Sequence, residues 1–465
     1  MDESLAAAFA PFAAKMEAAG LPRLAIDCFR HYFEHYRRGE TGLMPESSIA
    51  PVTDVPDVAA LAGYRAAGRQ ALGRAVVIKL NGGLGTTMGL SAAKSLLPAK
   101  GGLSFLDLIV RQVLHLRREH GCALPLVLMN SFRTRDDSRR VLERYPELAT
   151  GLPEDFLQHK VPRIGKDDGR PATWPANPEL EWCPPGHGDV YPALLTSGLL
   201  DALRARGIRW AFLSNADNLG ACLDLDVLGW VASEEIPFLM EVADRSEADK
   251  KGGHVARASD GRLVLRETAQ CPPDDVTAFQ DVRRHRYFNT NNLWVDLDVL
   301  ARLLEERRGI LGLSMIVNEK PIDPHDPSSP RVIQLETAMG AAIGVFPGAR
   351  VLHVPRGRLV PVKTTSDLLA LWSDAYELAD DFRVVVSPRR RAGDLVVDLD
   401  PAYYREVDDL TARFPDGPPS LVGCHRFVVR GDVRFGGGVV AEGDVTIRQE
   451  GSAPREVPAG SVLRG

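Results

Sequence analysis

Residues Arg74–Asn81, RAVVIKLN, form a compact run rich in β-branched side chains, and a loop holding Gly82, Gly83, Gly85 and Gly89 follows it at once. Ser104–His120 then has a helical period, opened by Ser104 with Asp107 three residues later and closed by Gly121. The order is strand, glycine loop, helix. A strand that is apolar on both faces needs parallel neighbours beside it and helices above and below. Further apolar runs at Pro125–Asn130, Trp210–Ser214, Pro237–Ala243 and Leu293–Leu300, with a helix from about Gly188 to Arg206, extend the alternation. Together they predict an α/β unit over 74–380, its sheet mainly parallel and covered by helices on both faces.

At 465 residues the chain is too long for one small module, since domains average ~150 residues. From Leu5 to about Tyr36 apolar positions recur at helical spacing, and Gly39, Gly42, Pro45 and Pro51 then break the pattern. Residues 1–73 therefore read as a helical N-terminal region. In the last segment, 381–465, the period changes: Phe427, Val433, Val439 and Val445 are six apart, as are Val429, Phe435, Ala441 and Ile447, with Gly431, Gly437 and Gly443 in step. Hexad repetition predicts a small left-handed parallel β-helix, with a pair of hairpins as the alternative. A coil of this kind cannot seal its own ends, so it should pack on the main domain or on a second copy, making a homo-oligomer through this region one expectation.

The 56 basic and 62 acidic residues leave a net charge of −6, so no global positive field would gather a nucleic-acid polymer or a membrane surface. Any phosphate site must be local. The six cysteines include no CxxC pair, which argues against a zinc ribbon or a disulfide scaffold and for reduced, mostly buried thiols. The first twenty residues lack the basic region of a secretory signal, and no stretch approaches 18 uninterrupted apolar residues, so the expectation is a cytoplasmic protein.

The glycines carry the chemistry. Lacking a Cβ, Gly82, Gly83 and Gly85 permit positive φ and let backbone N–H groups approach an anion, which makes the loop a phosphate cradle. A dinucleotide site is disfavoured: Gly83, Gly85 and Gly89 are spaced GxGxxxG, and the nearest placed acid, Asp107, falls inside the amphipathic helix. A Walker loop needs glycine immediately before its lysine, whereas Ala93 precedes Lys94. A loop that merely turns the chain stays open but leaves Lys94 unexplained.

KLNGGLGTTMG followed by KSLLP resembles the nucleotide loop of the eukaryotic-type UTP–glucose-1-phosphate uridylyltransferases, the UDP-glucose pyrophosphorylase family. Segments similar to that family continue in order: PLVLMNSF, WCPPGHGDVY, SNADNL, KGG, FNTNNLW, IQLETAMGAAI and VPRGRLVPVKTTSDLL. The likeness runs from MPESSI at Met44–Ile49 to the C-terminal hexads. It implies a Rossmann-like nucleotidyltransferase that moves a uridylyl group from UTP to α-D-glucose 1-phosphate, giving UDP-glucose and pyrophosphate by direct in-line attack with Mg2+. Alternatives are a pyrophosphorylase for another sugar 1-phosphate, galactose or N-acetylhexosamine, and a catalytically silent sugar-nucleotide sensor. An NAD-dependent oxidoreductase is a third.

In that transfer both reactants are anions, so the site must supply positive charge and alignment rather than a covalent nucleophile. Lys94, ending the glycine loop, is placed to meet the UTP phosphates, with a solvated surface lysine as the plain alternative. Lys363, between a strand-like run and a helix start, could bridge the sugar phosphate and the α-phosphate, or be a salt-bridged loop lysine. Asp217 follows an apolar strand, where a lone carboxylate suits Mg2+; an Asx turn in NADN is the other reading. His187 lies between Gly186 and Gly188 ahead of a helix N-terminus and needs no general-base role, because a phosphate nucleophile is already deprotonated. Asn289 and Asn291 would share one side of an extended stretch, offering amides to sugar hydroxyls, or else form a loop turn.

By resemblance, Leu80, Asn81, Gly82, Gly83, Lys94, Gln158 and Gly186 bind the nucleotide, Gln158 reading the uracil edge. His187, Asn215, Ala216, Gly253, Asn289, Asn291 and Lys363 bind the sugar phosphate, Asp217 holds the metal, and Lys94 and Lys363 are catalytic. One departure stands out. Many members carry a second lysine and a Gly-Pro where this chain has Leu90, Ser91, Ala92 and Ala93, so the loop's cationic complement is thinner.

Overall fold

The computed structural model describes residues 3–90, 92–451 and 453–465. Two helices open it, α1 (Glu3–Ala18) and α2 (Arg23–Arg37). The helical stretch expected over Leu5–Tyr36 is thus interrupted, because Gly20 turns left-handed at φ +70° and Pro22 precedes α2. Phe9, Phe12, Phe29 and Phe33 are buried between the helices, ring centroids 4.9 to 6.4 Å apart. They dock on Ile164, Met315, Ile333 and Leu335 of the main body.

Among the described residues the central sheet has ten strands. Those that place the site are β1 (Ala75–Asn81), β2 (Leu126–Asn130), β3 (Asp155–Leu157), β4 (Trp210–Asn215), β5 (Phe238–Asp244), β6 (His254–Ala258), β7 (Tyr287–Asp296) and β8 (Arg350–His353). β4, β1, β2 and β3 are parallel neighbours in that order, and β5 is parallel to β8. The sheet is mixed rather than purely parallel: β7 lies between β4 and β5 and runs antiparallel to both. After β5 the chain forms the antiparallel hairpin of β6 with Leu263–Arg266, passes through the short helix Val276–Gln280 and returns as β7. All seven residues of β1 are buried, Val77 in the core on one face and Val76 and Ile78 in the core on the other.

Helix α3 (Phe105–His120) follows the sequence reading closely: Asp107 N–H donates to Ser104 Oγ at 3.1 Å, Ser104 N–H donates to the Asp107 carboxylate at 3.0 Å, and Gly121 ends it at φ +61°. The helix expected over Gly188–Arg206 is instead two, Val190–Thr196 and Leu199–Ala205, divided where Gly198 adopts φ +73°.

At the C-terminus, strands Val396–Leu399, Ser420–Arg430, Val440–Arg448 and Val462–Arg464 pair in parallel, and Val433–Phe435 pairs in parallel with Arg455–Val457. Hairpins would pair antiparallel. Phe427 lies opposite Val445 and Val429 opposite Ile447, an offset of three hexads, and all eight hexad side chains are buried. Their core is continuous with the α3 side of the main sheet. All six cysteines are free; only Cys183 and Cys424 are buried and the other four are half-buried, fewer buried thiols than expected. No helix among the described residues is long and apolar enough to cross a membrane.

Candidate active site

Parallel pairing aligns the carboxyl ends of β1 and β4, placing Leu80 opposite Asn215, and Ala216 N–H donates to Leu80 C=O at 3.0 Å. The glycine loop leaves β1 here and the NADN turn leaves β4, so both spring from one edge. Lys94 returns to the loop's start through its N–H, which donates to Gly83 C=O at 3.2 Å. Its ammonium donates to Asp217 Oδ2 at 2.7 Å, with the lysine side chain 16% and the aspartate 27% exposed. Val362 N–H donates to Asp217 C=O at 3.2 Å, so exposed Lys363 follows directly on the residue bonded to the Asp217 backbone. Two candidates far apart in the chain meet here, and the loop that carries the third is bonded beside them.

The glycines work differently from expectation. Gly82, Gly83 and Gly85 are not in the left-handed region; Gly89 is, at φ +76°. What Gly82 provides is space: a Cβ there would lie 2.8 Å from Gln158 Oε1. Gly85 accommodates Leu90, whose Cδ1 would be 2.3 Å from an added Cβ; of the departing Leu90–Ala93 stretch, Ser91 lies outside the described residues. The buried Asn81 side chain spends its amide nitrogen within the fold, Nδ2 donating to Asn130 Oδ1 at 2.8 Å and to Ser138 Oγ at 2.7 Å.

Gln158 Nε2 donates to Gly186 C=O at 2.9 Å, bringing Gly82, Gln158 and Gly186 into one corner. Gly186 has φ +80°, and a Cβ there would lie 2.3 Å from Thr337 C=O. Beside it, His187 Nδ1 accepts from Met339 N–H at 2.9 Å. An acceptor at Nδ1 places the neutral ring's proton on Nε2. Burial lowers the His187 pKa to about 4, so at neutral pH the ring is an uncharged donor.

A cavity of about 280 Å³ joins Gly186 and His187 to Asn291, Glu267, Glu336 and Ala338. The extended reading of Asn289 and Asn291 needs amendment: β7 carries a bulge opposite Glu241 and Val242, and Asn291 sits at φ +57°. The side chains still meet, Asn289 Nδ2 donating to Asn291 Oδ1 at 3.0 Å. Gly253 makes room for Glu267, whose carboxylate would be 2.5 Å from a Cβ there. Burial raises the Glu267 pKa, opposed by Lys363.

Sequence reasoning passed over the groups that hold these loops. Glu241, fully buried, takes a bidentate pair from Arg358 at 2.7 and 2.6 Å and further bonds from Asn292 and Trp294, each at 3.0 Å. Asn218 accepts from Val360 N–H at 2.9 Å and donates to Arg358 C=O at 3.1 Å, stitching the Asp217 turn to the Lys363 loop. Arg358 lay inside VPRGRLVPVKTTSDLL, but nothing in the pattern singled it out.

Among the described residues no group of three or more His, Cys, Asp or Glu side chains could hold a metal unaided. Asp217 still suits Mg2+, which binds through one or two carboxylates with phosphates and water completing its shell.

The family model of UTP–glucose-1-phosphate uridylyltransferase matches residues 26–441. A UTP–glucose-1-phosphate uridylyltransferase of Solanum tuberosum is 40% identical over 423 residues, 90% of this chain and 84% of that one. A UDP-glucose phosphorylase from Trypanosoma brucei superposes with a TM-score of 0.91 at 43% identity, covering 98% of both chains. A point mutant of UDP-glucose pyrophosphorylase from Leishmania major, solved with UDP-glucose, gives 0.91 at 44% identity with the same coverage.

Proposed function

The chain belongs to the UTP–glucose-1-phosphate uridylyltransferase family, and from that premise we propose that it joins UTP to α-D-glucose 1-phosphate, giving UDP-glucose and pyrophosphate. The observation that carries this reading is the meeting of Lys94, Asp217 and the Lys363 loop at the carboxyl ends of β1 and β4, where open α/β sheets bind ligands.

In this reading Gln158, Gly82 and Gly186 take the uracil, and the loop from Gly83 to Lys94 lies along the phosphates. The Asn289–Asn291 pair, with the Glu267 and Glu336 cavity, faces the sugar. His187 donates a hydrogen bond from Nε2–H to a phosphate oxygen without transferring the proton, because the attacking phosphate is already ionised. Lys94 and Lys363 offset the charge that gathers on the α-phosphate as the glucose 1-phosphate oxygen attacks in line and the bond to pyrophosphate breaks. When bound at Asp217, Mg2+ supplies further positive charge to the phosphates.

We also propose the division 1–73, 74–380 and 381–465, with the C-terminal parallel stack as a short left-handed β-helix. The strand Val462–Arg464 ends its sheet and offers an edge to a second copy. Six free cysteines fit a reducing compartment, and we place the protein in the cytoplasm.

The deciding experiment is pyrophosphate release from UTP and Mg2+ across glucose, galactose and N-acetylhexosamine 1-phosphates. Glucose 1-phosphate should give the highest kcat/KM; no release with any of them, and no diphosphate exchange into UTP with UDP-glucose, would end the proposal.

A further inference from the structure

Lys79 is a lysine in the middle of a fully buried strand, 2% exposed, which the transfer chemistry above leaves unused. Its ammonium donates to Ser214 Oγ at 2.8 Å and to Ala221 C=O at 2.6 Å. Those two acceptors bracket the turn that carries Ala216 and Asp217: Ser214 is the penultimate residue of β4, and Ala221 follows the turn. Burying an ammonium costs several kcal/mol, and an apolar side chain would fill a strand interior at less expense. Folding alone gives no reason for a charge here.

We propose that Lys79 is a positioning residue: it closes the 214–221 turn on itself and anchors it to β1, and so sets where the Asp217 carboxylate stands relative to Lys94. This rests on the reading of Asp217 as the metal-binding carboxylate. The charges around it favour a held cation: the Glu241 and Asp217 carboxylates stabilise the ammonium, and the Arg358 guanidinium opposes them. Burial draws its pKa down to about 8 and leaves it protonated at neutral pH. Phe212 lies beneath, its ring centroid 5.7 Å from the ammonium.

The test uses the full chain and Mn2+ as probe, titrated into the UDP-glucose complex and followed by loss of the free-ion paramagnetic signal. Lys79→Met should weaken Mn2+ binding about tenfold or more, as loss of an outer partner of a metal ligand does. It should lower kcat in proportion, and KM for glucose 1-phosphate should rise with it because Asn215 and Ala216 belong to the same segment. Ser214→Ala, which removes one of the two acceptors, should weaken Mn2+ about threefold. Unchanged Mn2+ affinity in a folded Lys79→Met protein overturns the proposal; should that variant not fold, unchanged affinity in Ser214→Ala does so. Asp217→Asn separates the two layers. If it too leaves Mn2+ binding intact, the reading of Asp217 is what fails; if it weakens binding and the other variants do not, only the role of Lys79 is lost.

Discussion

Lys94 and Asp217 stand 123 positions apart in the chain and are joined by an ammonium-to-carboxylate hydrogen bond of 2.7 Å. The pair satisfies itself in this structure, and in the proposed reaction the ammonium would turn to the phosphates and the carboxylate to the metal. Removing the cation should therefore cost more than removing an ordinary surface ion pair, which contributes about 0–1 kcal/mol. Lys94→Ala is expected to lower kcat for pyrophosphate release by about 10²- to 10³-fold, the loss typical of a group that meets developing charge. A decrease under about fivefold would mean that Lys94 serves the apo structure alone.

Gly82 and Gln158 compete for one volume, since a Cβ on Gly82 would lie 2.8 Å from Gln158 Oε1. Gly82→Ala should raise KM for UTP by displacing the glutamine. Adding Gln158→Ala should cost little more, with a coupling of about 0.5–3 kcal/mol in the double-mutant cycle. Strictly additive effects on kcat/KM would show that the two residues act independently.

His187, held by Met339 N–H at 2.9 Å with its pKa lowered to about 4, stays neutral through the physiological range. The pH–rate profile should accordingly lack any limb near pH 6.5 that His187→Asn abolishes. His187→Leu, which has no Nε2 donor, should slow turnover more than His187→Asn does. Equal rates for the two variants would remove the donor role.

Arg358 and Glu241 form a buried bidentate pair at 2.7 and 2.6 Å. Arg358→Ala strands a carboxylate with 0% exposure and is expected to destabilise by about 3–5 kcal/mol. Thermal or denaturant unfolding reads this directly, and Arg358→Ala with Glu241→Gln should recover part of it. No change in the unfolding midpoint for Arg358→Ala would refute the pairing.

His254 is fully buried and stacks on His285 with ring centroids 3.9 Å apart, and burial lowers its pKa from 6.5 to about 2. The unfolded chain binds a proton there below about pH 6.5 and the native state does not. Stability from this residue is thus complete above that pH and is lost progressively as pH falls toward 2. Glu46 faces His285 at 2.9 Å, and burial lowers the His285 pKa as well. Between pH 6.5 and 4, His254→Phe should flatten the slope of unfolding free energy against pH; an unchanged slope would contradict the assignment.

Local signals were legible wherever one short segment settles its own conformation. The Ser104–Asp107 capping box and Gly121 bounded α3 correctly, and the apolar run of β1 announced a strand covered on both faces. The hexads located every buried side chain of the C-terminal repeat that they named. Errors came where the outcome depends on distant partners. Nothing in FNTNNLW states that β7 enters the sheet reversed or bulges opposite Glu241, because both follow from the strands on either side.

The same division holds for the site. Sequence determined the glycine loop, the lysine ending it, the carboxylate after β4 and the order of the motifs, since each depends on residue type and near neighbours. Tertiary structure alone decided that Lys94 meets Asp217, that Gly82 serves by making room rather than by positive φ, and that buried Lys79, Glu241 and Arg358 hold the loops in place. A buried charge is tolerated only where specific partners surround it, and no periodicity in the chain records which partners the fold will bring.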